Sequence, residues 1–208
     1  MKYKHIVFDI DNTILDSEKG LLTTWKETLN TLLNENYTIE ELRFILGMTG
    51  LNAMLHFGLK DQLATAYRLW GEFYAKNHTM VNFFPGVIEM LAKMKEAGLE
   101  LGIITSRKRS EFDAEPLMKL LEPYIGVIVC SDNTPRPKPD GAPVETYCQL
   151  CGITPSEMIY IGDTFNDYMC ARNGGCHFGL SQLGIVEKEK IEADYYFDST
   201  DDMLKALI

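Results

Sequence analysis

The sequence predicts a three-layer α/β fold: a parallel sheet with helices on both faces, and a block of helices inserted after the first strand. Three observations carry this. The apolar run Ile6-Val7-Phe8 lies close to the N-terminus and reads as a strand buried on both faces. From residue 82 onward, short apolar runs alternate with segments of helical periodicity, the order that builds βαβ units. Residues 16–81 break that alternation and hold helical segments without a convincing strand. The expected division is a core of residues 1–15 and 82–208 and a helical-bundle cap of residues 16–81.

In the inserted block, residues 21–33 and 63–76 have helical spacing. In the core, Val87, Met90, Leu91 and Met94 recur at helical intervals, and Gly98 suits the position just past a helix end. Residues 99–105 read as a strand that closes in Thr105-Ser106. A single helix is expected over 112–121 and a strand over 125–130. After a proline-rich loop come a helix over 144–151 and a strand over 158–161, which runs into Gly162-Asp163-Thr164-Phe165-Asn166-Asp167. A helix stopping at Gly174-Gly175 and short strands over 176–180 and 195–197 finish the sheet. An insertion directly after the first strand sits over the carboxyl edge, where open α/β sheets place their ligands.

Bulk properties exclude several classes. A chain of 208 residues that is 46% hydrophobic can bury one good core. A net charge of −10 argues against a nucleic-acid partner, because neutralising phosphates needs clustered Lys and Arg. No run of apolar residues is long enough to span a membrane, and the N-terminus opens on a strand rather than a secretory signal. The chain reads as soluble and cytoplasmic, a monomer or weak dimer. Cys148 and Cys151 have C-x-x-C spacing, but they fall in a helix, and Cys170 and Cys176 lack the tight spacing of a zinc ribbon. Buried thiols filling gaps are the simpler reading of all five cysteines. The four histidines have no mutual metal spacing.

The chemistry lies at the strand ends. Asp9 and Asp11 are two apart and leave the first strand together. Paired carboxylates are costly unless positive charge sits between them. Successive strands bring Thr105/Ser106, the loop carrying Lys138, and Asp163/Asp167 to the same edge. A phosphomonoester adds about two negative charges. Mg²⁺, a hard cation held by one or two carboxylates plus phosphate, would offset them. Lys138 supplies a point charge to phosphate, and Thr105 and Ser106 supply neutral donors. Taken singly, each piece has a plainer reading: a solvated turn for Asp9/Asp11, a helix cap for Thr105-Ser106, a surface lysine, and acids favoured at a helix start for Asp163/Asp167.

In this order the set resembles the four motifs of the haloacid dehalogenase (HAD) superfamily of aspartate-nucleophile hydrolases. Asp9-x-Asp11-x-Thr13 is similar to the first motif, Thr105 to the second, Lys138-Pro139 to the third and Gly162-Asp163-Thr164-x-x-Asp167 to the fourth. The resemblance runs from residue 3 to about 180, and residues 82–87 resemble the re-entry into the core after a helical cap of the C1 type. It implies a Rossmann-like core and a Mg²⁺-dependent phosphohydrolase of small phosphorylated metabolites. Asp9 would be the nucleophile that forms an aspartyl-phosphate, and Asp11 the general acid and base. Asp9, the Asp11 backbone carbonyl, Asp163 and Asp167 would serve the metal, with Lys138, Thr105, Ser106 and backbone N–H groups around Asn12 on the phosphoryl group. Asn12 stands where many relatives have Gly, a position Asn fills because it tolerates left-handed angles. The second proline of the third motif, Pro143, comes later than is common.

Within that superfamily, Asp11, Asp163 and Asp167 argue against a dehalogenase. The cap loop Leu46-Gly47-Met48-Thr49-Gly50 carries no charge, and Gly162 stands where mutases tend to have an acid. Both features favour a hydrolase over a sugar-phosphate mutase of the β-phosphoglucomutase type, and a modest or uncharged leaving group. Arg43 is the cation nearest that loop. A phosphonate hydrolase would need a cap lysine, for which Lys19, Lys26 and Lys60 are the candidates. Phosphoglycolate phosphatases and pyrophosphatases are the branches it most resembles. A phospho-ligand-binding protein on the same fold is the non-enzyme alternative, although none of Asp9, Asp11, Lys138 or Asp163 is lost. A response-regulator receiver would be shorter and lack the inserted helices.

Overall fold

The computed structural model describes residues 2–184 and 191–208. Strand β1 (His5–Phe8) lies at the centre of a six-stranded sheet with β4 (Glu100–Ile104), β5 (Ile125–Val129), β6 (Met158–Gly162), β7 (His177–Ser181) and β8 (Tyr195–Phe197). The order is β5-β4-β1-β6-β7-β8, and every pairing in it is parallel. Alternation fixes the two faces. Ile6, Phe8, Ile103 and Ile161 face one hydrophobic layer, whereas Val7, Ile104, Tyr160 and Phe178 face the other. The β1–β6 register sets Val7 beside Tyr160, which fixes what lies under the site.

The first layer is completed by α5 (Val87–Glu96) and the C-terminal helix α9 (Thr200–Leu207). The second is completed by α7 (Ala142–Cys151) and α8 (Phe165–Gly174). Pro143 falls in the first turn of α7, where its missing N–H costs nothing. That accounts for the late proline.

Two expectations need correction. The single helix over 112–121 is two pieces, α6 (Arg109–Ala114) and a 3₁₀ turn (Pro116–Leu120). Pro116 has no N–H to continue the ladder, and it holds Glu115 extended at φ −83°, ψ 114°. Helix α9 was not anticipated, although Ser199 caps it by accepting from the Asp202 N–H at 3.1 Å, and Met203 and Leu207 are buried one turn apart.

Helices α1 (Glu18–Leu33), α2 (Ile39–Leu42), α3 (Gly50–His56) and α4 (Leu63–Asn77) bury their own cluster, including Leu22, Trp25, Leu29, Met54 and Ala66. The two chain passages between these helices and the sheet pair with each other as an antiparallel ribbon, β2 (Leu15–Asp16) with β3 (Asn82–Phe83). Among the described residues, no helix is long and apolar enough to cross a membrane. Cys130, Cys148, Cys170 and Cys176 are buried, and the five cysteines form no disulfide among the described residues.

Candidate active site

The ladder continues one step past β1, as the Asp9 N–H donates to the Ile161 carbonyl at 2.8 Å. Asp9 therefore stays in register, and alternation puts its side chain on the face of Val7 and Tyr160. Asp163 follows β6 directly, and Asp167 sits in the first turn of α8. Oxygens of Asp9, Asp163 and Asp167 lie within 4.8 Å of one another, all buried. Lys138 reaches this cluster from the loop after β5. Its Nζ donates to Asp9 Oδ1 at 2.8 Å, to Asp167 Oδ1 at 2.6 Å and to the Tyr160 hydroxyl at 3.1 Å. At 5% exposure Lys138 is no surface lysine.

Three carboxylates around one ammonium leave the buried cluster with excess negative charge, and the titration behaviour follows. Burial pushes Asp9 up to about 7 against the pull of Lys138, with Asp167 adding repulsion. Burial and the charges of Asp167 and Asp9 raise Asp163 well above the carboxylate range. Burial would raise Asp167 too, but Lys138 outweighs it and holds the carboxyl low. Lys138 is held up, since Asp167 and Asp9 outweigh its desolvation. An all-oxygen cluster with unbalanced negative charge fits a hard divalent cation such as Mg²⁺.

Asp167 is doubly committed. Its Oδ2 accepts from the Thr164 N–H at 3.0 Å and the Thr164 hydroxyl at 2.5 Å, while the Thr164 hydroxyl accepts from the Asp167 N–H at 3.2 Å. This reciprocal cap opens α8. The other oxygen serves Lys138 and Tyr160. One oxygen thus opens the helix, as the plainer reading of the sequence has it, while the other joins Lys138 and Tyr160. Gly162 makes the fold possible, because a Cβ there would come within 2.5 Å of the Asp167 Cβ.

Asp11 does not lie beside Asp9 as a second free carboxylate. The chain turns after Ile10, and Asn12 adopts φ 60°, the left-handed angle expected of it. The Asp11 carboxylate accepts two hydrogen bonds from Arg107, at 2.8 Å from Nε and 2.6 Å from NH2. Burial alone would raise Asp11, but this guanidinium holds it below the usual range. The Asn12 N–H donates to the Leu15 carbonyl at 2.7 Å, so that backbone donor is already engaged in the turn. Thr105 is buried and accepts from the Arg107 N–H at 3.2 Å; it is not on the cavity wall formed by the described residues. Ser106 is on that wall and donates to the Gly47 carbonyl at 3.2 Å.

The inserted helices close over this edge and leave a cavity of about 620 Å³. Its floor holds Asp9, Asp11, Lys138 and Asp163. Leu46, Gly47, Met48 and Gly50 of the neutral cap loop line it, as do Arg107 and Lys108 from the end of β4. Arg43 turns away, paired with Glu18 at 2.5 Å and Glu40 at 3.3 Å. Lys19, Lys26 and Lys60 do not line the cavity, so none of the three cap lysines is placed there for Schiff-base chemistry.

Sequence reasoning missed Arg107 and Tyr160. Arg107 follows Thr105-Ser106 directly, and an arginine just past a strand end was the available signal. Tyr160 read as one more apolar strand residue. Its hydroxyl lies 2.7 Å from Asp167 Oδ1 and 3.0 Å from the Ile104 carbonyl.

Fold and site together define a parallel-sheet α/β protein with a buried acidic cluster at its strand ends. Residues 6–180 match the haloacid dehalogenase-like hydrolase family, and the chain belongs to it. Among curated relatives, the pyrophosphatase PpaX of Bacillus velezensis is 26% identical over 208 residues, covering 96% of this chain and 94% of that one. A solved chain from Lactobacillus plantarum, provisionally described as a phosphoglycolate phosphatase, superposes with a TM-score of 0.85 at 24% identity, covering 99% of each. CbbY from Rhodobacter sphaeroides, solved in complex with phosphate, has a TM-score of 0.82 at 21% identity and covers 97% of this chain and 96% of its own.

Proposed function

We propose that this hydrolase is a Mg²⁺-dependent phosphatase of small phosphorylated metabolites, working through an aspartyl-phosphate on Asp9, with residues 16–81 acting as the cap. One observation carries the reading: a buried cluster of three carboxylates around Lys138 at the floor of the cavity between the inserted helices and the sheet edge. Such a cluster has excess negative charge unless a dication joins it, and with the dication it suits a phosphoryl dianion. The names of PpaX and of the Lactobacillus plantarum chain point the same way.

Asp9 attacks phosphorus and the phosphate ester bond breaks, so one difficult displacement becomes two easier ones. Lys138, already on Asp9, shares its charge with the phosphoryl oxygens as they arrive. Asp9, Asp163 and the Asp11 carbonyl would hold Mg²⁺, which supplies the charge that lets two anions approach. Asp167 fits another role, because donors occupy both of its oxygens: it fixes Lys138 and anchors α8. Asp11 under Arg107 is ionised, the form that takes a proton from the water that hydrolyses the phosphoenzyme. To protonate the leaving oxygen, its carboxyl must first turn from Arg107 and take up a proton from solvent; the attacking water then returns one to it.

The test is p-nitrophenyl phosphate hydrolysis by wild type and Asp9→Asn, with Mg²⁺ and with EDTA. Turnover is expected only for wild type with Mg²⁺. Equal turnover by Asp9→Asn would overturn the nucleophile assignment.

A further inference from the structure

The cavity is much larger than a phosphoryl group requires. Its roughly 620 Å³ falls in the range of roughly 300–1,000 Å³ that suits drug-sized ligands. Pyrophosphate or phosphoglycolate would occupy the floor and leave the upper chamber empty.

That upper chamber is aromatic. Trp25 of α1 and Tyr67, Trp70 and Tyr74 of α4 line it. Trp70 and Tyr74 are stacked, with ring centroids 4.9 Å apart and planes 8° apart, and Trp25 sits 6.1 Å from Trp70. Behind this wall, the Tyr67 hydroxyl and Trp70 Nε1 are closed off from the chamber and have no hydrogen-bond partner among the described residues. Buried donors left unpaired are costly, so a ligand acceptor that draws either side chain round toward the chamber relieves that cost.

Arg107 and Lys138 on this wall are spent on protein partners. Arg107 is held by Asp11 and lies 3.9 Å from Glu115, and Lys138 is held by Asp9 and Asp167. Lys108 lies over the face of Tyr67, 4.0 Å from its centroid. Above the floor a second phosphate or a carboxylate would therefore find one cation without a carboxylate partner among the described residues, Lys108, with the Glu111 carboxylate also on the wall, whereas a flat ring finds stacking surfaces.

We propose that the substrate is a phosphate monoester of an alcohol bearing a flat aromatic or heteroaromatic ring. The ring lies against Trp70 and Trp25, and its acceptors meet Tyr67 Oη and Trp70 Nε1 once those side chains turn toward the chamber. This rests on the phosphohydrolase reading above and names the leaving group it acts on.

The chain has two tryptophans, and both line the chamber, so intrinsic fluorescence reports directly on it. Asp9→Asn protein with Mg²⁺ is titrated with pyridoxine 5′-phosphate, adenosine 5′-monophosphate, 2-phosphoglycolate and pyrophosphate. At least one ring-bearing ester is expected to change the emission with a Kd tenfold or more below the two small anions. Wild-type kcat/KM should show the same order. In Trp70→Leu, the ratio of kcat/KM for that ester to kcat/KM for acetyl phosphate should fall tenfold or more. Tyr67→Phe, which keeps the ring and loses only the hydroxyl, should raise KM for the ester several-fold. A preference for the small anions, a preference for rings below tenfold, or a ratio unmoved in both variants would overturn the proposal while acetyl phosphate is still hydrolysed. If wild type with Mg²⁺ hydrolyses nothing, acetyl phosphate included, the phosphohydrolase reading fails first. The fluorescence titration then decides the ring site alone.

Discussion

Tyr160 holds the polar centre of the site together from below. Its hydroxyl accepts from Lys138 and lies beside Asp167. Tyr160→Phe removes that bridge and leaves a buried ammonium and carboxylate each short of a partner. A loss of about 1–2 kcal/mol in stability is expected, with kcat reduced and KM nearly unchanged, because Lys138 loses its fixed position. Chemical denaturation and steady-state kinetics check both halves. Asp163 behaves in the opposite sense. Its proton is held in the folded state well above the unfolded pKa of about 3.9 by burial and by Asp167 and Asp9. The native state thus binds more protons than the unfolded one, and stability without metal falls as pH rises from about 4 through the native pKa. Asp9 adds to this fall up to about pH 7. Asp163→Asn should therefore be more stable than wild type in EDTA at pH 8, on the order of 1 kcal/mol or roughly 2–4 °C in Tm, and the gain should vanish near pH 4. Mg²⁺ should raise the Tm of wild type at pH 8 but not that of the variant. A destabilised variant in EDTA at pH 8 would contradict the charge argument.

At the scale of elements, the cap loop touches the core through one residue shape. Gly47 has φ +80°, and a Cβ there would come within 2.8 Å of Thr164 Cγ2. Its carbonyl accepts from Ser106 and, at 3.3 Å, from Asn166. Gly47→Ala is expected to lift the loop off Thr164, weakening both bonds and raising KM several-fold; the left-handed angle alone costs about 1 kcal/mol. Unchanged KM would mean the loop does not shape the bound state. What the sequence made legible follows from the same local logic. Strand ends carrying Asp9 and Asp163 were readable because short apolar runs stop abruptly at polar residues, and Lys138 because it stands in the proline-rich loop after such a run. Arg107 and Tyr160 were not, because their meaning depends on partners far along the chain, Asp11 and Asp167. The break at Pro116 was local and readable in principle, but the apolar spacing around Met118 and Leu121 matches a helix equally well. The reach of Pro143 resolved itself once the start of α7 was known.

The net charge of −10 acts on the whole molecule and sets an expectation for substrate capture. A dianionic phosphate ester approaches a protein of its own sign, and the repulsion is felt over about 30 Å in 0.01 M salt but only about 8 Å in 0.15 M salt. Nearer the cavity, Arg107 and Lys108 offer the opposite sign, but Arg107 is already matched by Asp11 and Glu115. The long-range term should therefore dominate. With Mg²⁺ held saturating, kcat/KM for a phosphate monoester is expected to rise about two- to threefold between 10 and 150 mM KCl, while kcat, set after binding, stays flat. A fall over the same range would assign capture to the local field of Lys108 and the metal, and would place the decisive electrostatics at the cavity mouth rather than over the surface.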